Sequence, residues 1–456
     1  MSKTTGVLVL VGLIALSMLL LNCGSSSSRP TGLLFVASEA ENYIVSFAID
    51  LNTGALSQVG LTTTTCSTLF QTPPVACGLA VQMLLDPTKS VAFLLNQGLS
   101  SSTSTATVAP TIYGYTVNSQ GNLSTPTTSQ TLPLGDTALA MTETSDGSLL
   151  FVIDQGSSLT PTDCPTSGGT YGSDCPSIQV FSATPGSTTL TAASVYPLNR
   201  MPTALSVLTF TPPNSSSAET LLFVTSNLDL TSAHNDNELS VFTVDSSGTL
   251  TETYGSPYTT QVNPASVQAV NTVLSGQTVG GIFIYVGAQG AVSGTVSGFQ
   301  VCTAQGQGSN GYNCTPSQVA NSQLIPSGSP TQAGSDPKAM VVDPTNSFLY
   351  VACTGSNQVF GYSISAGNGT LTKLSPASVP SQGAGPFALA MHNSTNGSPS
   401  NGYQFLYVSN TGTSNGTATG SGTIGIFSAG VTSGSLSTSS NYYLFTDGQP
   451  SAMAAK

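Results

Sequence analysis

Charge is what this chain has least of. Its 456 residues include 19 Asp and Glu, 7 Lys and Arg, and 2 His, for a net charge of −12. So few cations exclude nucleic-acid binding, which rests on basic patches that neutralise phosphates. Ser, Thr, Asn and Gly are abundant instead, so hydroxyls and amides must form the surface. Helix signals are equally scarce. Gly, Ser and Thr interrupt every candidate window, and no apolar period of 3.6 residues persists. A phosphate-cradling glycine motif, a nucleophile elbow and a zinc signature are all missing, so neither cofactor nor metal is expected.

The one long apolar run is N-terminal. Lys3 is the only charge before the stretch from Val7 to Leu21, and Asn22-Cys23-Gly24 follow at once. This resembles a bacterial lipoprotein signal, with residues 1–22 removed and Cys23 acylated as the first residue of the mature chain. Asn22 departs from that pattern, where a smaller residue is usual. An uncleaved anchor or an ordinary secretory signal are the alternatives, although about 15 apolar residues are short for a spanning helix. On the lipoprotein reading, residues 23–31 are a lipidated cysteine and flexible tether, and the chain is exported and membrane-anchored, periplasmic or on the cell surface.

Cysteine usage agrees with export. Six of the remaining cysteines pair closely in sequence: Cys66 with Cys77, Cys164 with Cys175, and Cys302 with Cys314. Such loops could also serve a metal, but His is absent nearby and no second ligand pair accompanies them, which favours disulfides. Cys353, at a strand end, reads as a buried inert thiol.

Residues 32–456 repeat one plan, clearest between Asp336 and Leu371. A short apolar run, Lys338 to Val342, turns at Asp343-Pro344 into Phe348-Leu349-Tyr350-Val351, apolar at every position as in a strand covered on both faces. A third strand at Val359 to Tyr362 leads through Gly367-Asn368-Gly369 to a fourth. The second-strand signature recurs at Phe35-Val36, Phe93-Leu94, Phe151-Val152, Phe223-Val224, Tyr285-Val286, Tyr350-Val351 and Tyr407-Val408. The third recurs in phase at Ile44/Phe47, Ile112/Tyr115, Ile178/Phe181, Leu239/Phe242, Val296/Phe299, Val359/Tyr362 and Ile424/Phe427. The spacing of about 60 residues exceeds the roughly 40 that a four-stranded unit needs, leaving room for long loops.

The first-strand signature, Ala- and Leu-rich and usually after Pro, is out of step with the others. It first appears at Gly78-Leu79-Ala80, after the opening second and third strands, and last at Pro450-Ser451-Ala452-Met453, with nothing following. The count closes only as a ring, in which the C-terminal strand is the innermost strand of the N-terminal sheet. A solenoid would need polar caps, and sandwiches would not keep one phase. The expectation is an all-β, seven-bladed β-propeller with four antiparallel strands per blade.

The unit Pro-x-Ala-Met/Leu-x-x-Asp-Pro, then Phe/Tyr-Leu-Tyr-Val, then a hairpin ending Gly-x-Leu, resembles the seven-bladed propeller lactonase family, whose best-known activity is hydrolysis of 6-phosphogluconolactone. The Gly-x-Leu ending stands at Gly54/Leu56, Gly121/Leu123, Gly248/Leu250, Gly369/Leu371 and Gly434/Leu436. Related YVTN-type propellers share these features without the activity. The resemblance implies Arg-His after Gly-Pro on an innermost strand, and acidic or His residues just after second strands. Here Gly385-Pro386 leads into Phe387-Ala388, and the second strands lead into Cys353-Thr354 and Asn410-Thr411.

Opening a lactone needs a cation or hydrogen-bond donors for the developing oxyanion and a base for water. The blade plan places Glu39, Glu41, Asp136, Asp154, Arg200, His234, Glu238, Asp336 and Lys338 on the face formed by first-strand starts and second-strand ends. His392 falls on the opposite face with the Asp86-Pro87, Asp146-Gly147 and Asp343-Pro344 turns. Arg200 is the candidate cation near the channel, and His234 with Glu238 a candidate base and orienting carboxylate; a loop-bracing Arg and a polar loop are the plainer readings. Calcium at Asp229, Asp236 and Glu238 fits no known loop spacing. Two functions therefore stay open: a lactonase-like hydrolase of the cell envelope, or a non-enzymatic propeller binding a protein or glycan. The ligand, whether sugar lactone, glycan or protein, is expected on that face, and the chain is expected to be monomeric.

Overall fold

The computed structural model describes residues 32–38, 43–63, 79–98, 109–133, 137–156, 175–212, 216–229, 237–272, 281–289, 293–303, 314–392, 403–412, 422–438, 442–445 and 448–456. Cys23, Glu39, Glu41, Cys66, Cys77, Asp136, Cys164, His234 and Asp236 lie outside them.

The described strands form seven antiparallel sheets. Blade 1 holds β1 (Gly32–Ser38), β2 (Tyr43–Ile49) and β3 (Leu56–Thr63). Blade 2 holds β4 (Ala80–Leu85), β5 (Val91–Asn96), β6 (Thr111–Thr116) and β7 (Thr127–Thr131), and blade 3 holds β8 (Ala138–Glu143), β9 (Leu149–Asp154), β10 (Ser177–Ala183) and β11 (Leu190–Pro197). Blade 4 comprises β12 (Arg200–Phe210), β13 (Glu219–Asp229), β14 (Glu238–Val244) and an outer edge split into β15 (Leu250–Glu252) and β16 (Tyr258–Thr259). Blade 5 comprises β17 (Pro264–Asn271), β18 (Ile282–Ala288), β19 (Thr295–Val301) and a split edge, β20 (Leu324–Pro326) and β21 (Thr331–Gln332). Blade 6 runs β22 (Pro337–Val342), β23 (Phe348–Cys353), β24 (Gln358–Ile364) and β25 (Leu371–Pro380). Blade 7 runs β26 (Ala384–His392), β27 (Tyr403–Gly412), β28 (Gly422–Gly430), β29 (Leu436–Thr438) and β30 (Tyr443–Phe445). The last strand, β31 (Pro450–Ala455), returns to blade 1, whose order is β3-β2-β1-β31. Ring closure is therefore as the phase of the repeats requires.

Each recurring motif has a physical task. At the Asp-Pro turns a carboxylate caps the start of the second strand: Asp343 Oδ1 accepts from the Ser347 and Phe348 amides, both at 2.7 Å, and Asp86 Oδ1 from Ser90 and Val91. Second strands are buried throughout, as in β5, β9, β18 and β23. Seven apolar clusters fill the seams between neighbouring blades. The Gly-x-Leu hairpin is a seam device too. Gly54 of blade 1 has φ +72°, and a Cβ there would meet the Phe405 ring of blade 7 at 2.4 Å, so only glycine lets the hairpin lie on that ring. Gly121 lies against Leu33 in the same way, Gly248 against Val180, Gly369 against Phe283, and Gly434 against Phe348.

Three seams share a tyrosine hydrogen bond. The hydroxyls of Tyr285, Tyr350 and Tyr407, buried in second strands, donate to the carbonyls of Gly369, Gly434 and Gly54 in the next blade, at 2.8, 2.8 and 3.0 Å. The last of these spans the closing seam.

Cys302 and Cys314 form a disulfide with Cα atoms 5.8 Å apart, Cys175 is disulfide-bonded, and Cys353 is a buried free thiol. Burial pushes the Cys353 thiol up to about 12. Among the described residues the scarcity of helix signals has one α-helical exception, α1 (Pro316–Ala320). It is a single turn with Pro in its first turn and a Thr315/Gln318 capping box, a local signal that needs no apolar period. No helix among the described residues is long and apolar enough to cross a membrane.

Because β31 supplies Met453 to one seam cluster and Ala452 and Ala454 to the next, its loss opens two seams and bares the β1 edge. Deleting residues 449–456 should abolish the cooperative thermal transition and cause aggregation; an unchanged midpoint would mean that the blades close otherwise. Tyr407→Phe should fold normally and lose about 1 kcal/mol in denaturant unfolding, the net worth of one buried hydrogen bond.

Candidate functional site at the channel mouth

The seven innermost strands share an irregularity. In each, one residue is skipped in the pairing with the second strand: Ala80 pairs with Asn96 but Gln82 with Leu95, and Pro337 pairs with Cys353 but Ala339 with Ala352. The same slip follows Ala138, Pro202, Pro264, Pro386 and Pro450. A bulge of this kind re-aims the unpaired side chain. Proline suits the position before it, where the ladder is about to break. In three blades the chain enters that proline through a left-handed residue, Asn263, Asp336 or Gly385, with φ of 54°, 57° and 65°.

The skipped residues, in ring order from blade 1, are Ser451, Val81, Leu139, Thr203, Ala265, Lys338 and Phe387, and all line one cavity of about 460 Å³ in the central channel. The residues after them, mostly Ala, form the next tier of its wall. Lys338 is the only charged side chain among the described lining residues, and its Nζ stands 5.1 Å from the Phe387 ring centroid. The wall's hydroxyls are committed to the protein. Ser451 Oγ donates to the Ala80 carbonyl at 2.7 Å, Thr203 Oγ1 lies 2.8 Å from Thr225 Oγ1, and Ser266 Oγ reaches the Pro337 carbonyl. Gln82 Oε1 accepts from the Met141 amide at 2.8 Å. The Ser451, Ser266 and Gln82 bonds stitch neighbouring innermost strands together, and the Thr203–Thr225 contact joins β12 to β13 within blade 4.

Behind the mouth lies a second ring, the residues that pair with the position before each bulge: Ser38, Asn96, Asp154, Ser226, Ala288, Cys353 and Asn410. All are buried. Asp154 is wholly covered and accepts from the Ser177 hydroxyl, the Gln179 amide and the Gly156 N–H. Burial raises its pKa to about 6, against the lowering effect of those donors. Asn410 Nδ2 donates to the Ser381 carbonyl at 2.9 Å and to Thr423 Oγ1 at 3.1 Å. Of these seven positions, where the resemblance implies acids or His, one is acidic, Asp154, and it and Asn410 act as buttresses.

Arg200 does not reach the channel wall. It opens β12 and turns into the seam with blade 3, where Nε lies 3.4 Å from Glu238 Oε2, and Nη1 lies 3.3 Å from Glu252 Oε1 and 2.7 Å from Ser240 Oγ. Tyr196 of blade 3 stands close enough for both Arg200 and Glu252 to act on its hydroxyl. With its side chain 13% exposed and two carboxylates against it, this cation is neutralised in place. Glu238 is accordingly engaged with Arg200, and its suggested partner His234 lies outside the described residues. The reading of Arg200 as a channel cation is corrected: a strand-end side chain follows its nearest counter-charges, here in the seam. Asp336 is held by the Gln289 amide at 2.6 Å.

At the opposite face, His392 ends β26, buried beside Gly32, and burial holds its imidazole below the usual range. Glu143 ends β8 there, and burial, with the Asp86 and Asp146 charges, raises its pKa to about 7. A carboxyl raised on folding gives stability that is full below its unfolded value of about 4.3 and lost as pH rises through the folded value. Glu143→Gln should therefore raise the melting temperature at about pH 8, with the gain closing by about pH 4.5. A pH-independent difference in thermal scans would contradict this assignment.

The family model described as "Lactonase, 7-bladed beta-propeller" matches residues 169–415. Among solved structures, a periplasmic gluconolactonase from Pseudomonas aeruginosa is similar at 15% identity and a TM-score of 0.60, covering 93% of this chain and 99% of that one. A putative 6-phosphogluconolactonase from Bacteroides fragilis is similar at 13% identity and 0.58, covering 95% and 100%. One from Bacteroides uniformis gives 12% and 0.58, covering 94% and 100%. No curated protein matches the chain. With more than half of its length matched by the family model, and with seven blades closed by the C-terminal strand, the chain belongs to the seven-bladed β-propeller lactonase family.

Proposed function

We propose that this is an exported member of its family, anchored to a membrane through acylated Cys23, whose channel mouth binds a small molecule and does not turn over 6-phosphogluconolactone. The observation that carries the reading is the identity of the bulge residues. Phe387 occupies the bulge after Gly385-Pro386, where the resemblance implies Arg, and Lys338 is the one charged group among the described lining residues. A phosphorylated sugar needs several cations converging on its phosphate. Lys338 alone is a point charge beside an aromatic ring, suited to holding one anionic group. Arg200, the other candidate cation, is already paired with two carboxylates.

Export is supported by the apolar run before Cys23 and by the disulfide chemistry of Cys302–Cys314 and Cys175, which persists in oxidising compartments. The similarity to a periplasmic protein points the same way.

Full-length protein in non-ionic detergent, assayed on 6-phosphogluconolactone and neutral sugar lactones, should give rates equal to spontaneous hydrolysis. A faster rate that falls in Arg200→Ala or Lys338→Met would instead establish a hydrolase. For the anchor, Cys23→Ser should move the protein from the membrane to the soluble fraction, and unchanged fractionation would remove the lipoprotein reading.

A further inference from the structure

The order of residues around the mouth makes it two-sided. In a ring of seven, blade 6 faces the gap between blades 2 and 3, so Lys338 stands directly across the channel from Val81 and Leu139. Both of these side chains are only partly buried in their seams and contribute to the cavity wall. Phe387, next to Lys338, faces the gap between Leu139 and Thr203. One side of the mouth is thus a cation over an aromatic ring, and the other is an aliphatic arc.

Several of the polar groups between the two sides are already bonded, with Gln97 and the Gln82 amide N–H2 also on the wall. The hydroxyls of Ser451 and Thr203 are tied to Ala80 and Thr225, and Gln82 Oε1 to Met141. A polyhydroxylated ligand would find these hydroxyls and Gln82 Oε1 already engaged and so fewer partners for the hydration it gives up. Lys338, by contrast, is exposed, and an ammonium resting on a ring face keeps N–H donors for an incoming anion. The Ala tier beneath leaves room for a ligand body, and the cavity of about 460 Å³ is within the range of small-molecule sites.

We propose that the channel mouth is a site for a small monocarboxylate with an apolar body, its carboxylate on Lys338 and its body against Val81, Leu139 and Phe387. The assignment rests on reading the mouth as a binding site and narrows it to a ligand class unlike a sugar acid. Selectivity comes from the two-sidedness: the anion fixes one end, and the aliphatic arc favours an apolar body over a hydroxylated one.

Isothermal titration of the full-length protein in non-ionic detergent, with 4-phenylbutyrate, 4-phenylbutanamide and gluconate as probes, tests this. Phenylbutyrate should bind one site per chain, and at least ~10-fold more tightly than its neutral amide or gluconate, the scale of a charge-assisted contact. Lys338→Met should remove that advantage and leave the amide within about 2-fold, whereas Lys338→Arg should largely retain it. Leu139→Asn should weaken phenylbutyrate and its amide alike. Equal binding of phenylbutyrate and its amide would overturn the role of Lys338. Lys338-dependent binding of gluconate but not phenylbutyrate would overturn the ligand class while leaving the mouth as a site. Binding of none of the three would remove the mouth reading itself.

Discussion

The structure depends on the ladder between β31 and β1, because only that pairing turns a row of blades into a ring. Leu34 to Ser38 meet Ala455 to Pro450 in antiparallel register, and Lys456 adds a reciprocal pair of bonds with Leu33. Side chains reinforce it from both sides: Met453 packs with Phe47 and Tyr407 in one seam, and Ala452 with Met83 and Leu94 in the other. A blade has two apolar faces, and among the described residues no capping repeat with a polar outer face covers either end of this array. Closure is therefore the only way for the first and last seams to be buried, and the channel exists only as its by-product.

This dependence is why so much of the fold was legible in the residues. A ring of like seams repeats the same contacts, so the sequence repeats the residues that make them: aspartate to cap the turn into a second strand, glycine to rest a hairpin on its neighbour's side chain, proline to precede the bulge. The phase shift of Pro450-Ser451-Ala452-Met453 against the other strands reported the closing strand directly. Site residues were less legible, because they are not repeated. Arg200 reads as a channel cation from its place before β12, yet its direction is set by Glu238 and by Glu252, which stands 52 positions away in the sequence. Asp154 reads as a surface acid after a second strand, and only the packing of Ser177, Gln179 and Gly156 around it reveals a buttress.

Scarcity of charge sharpens the contrast between structural and functional positions. The described carboxylates that can be traced have local partners: Asp86, Asp146 and Asp343 cap turns, Asp154 braces a loop, and Glu238 and Glu252 hold Arg200. Each contact satisfies a backbone donor or a counter-charge that burial would otherwise leave costly. Lys338 has a different environment. It is exposed, faces a lumen, and has an aromatic ring as its neighbour. In a chain this sparing with cations, one placed where no ladder or seam requires it is the position that folding least explains.

The repeated bulge accounts for how such a residue can exist without disturbing the ring. Pairing on either side, Pro337 with Cys353 and Ala339 with Ala352, fixes the strand while leaving Lys338 outside the ladder. The positions before and after are constrained by the prolines and by the need for small side chains in the lumen, and they vary little: Pro or Ala, then mostly Ala. The skipped position varies, from Val81 and Leu139 to Thr203, Lys338 and Phe387, because the strand register does not depend on it. A scaffold built in this way can change what its mouth recognises one blade at a time. The seven side chains at the skipped positions are ones that the fold does not choose, and in this chain they present one ammonium on an aromatic ring opposite an aliphatic arc.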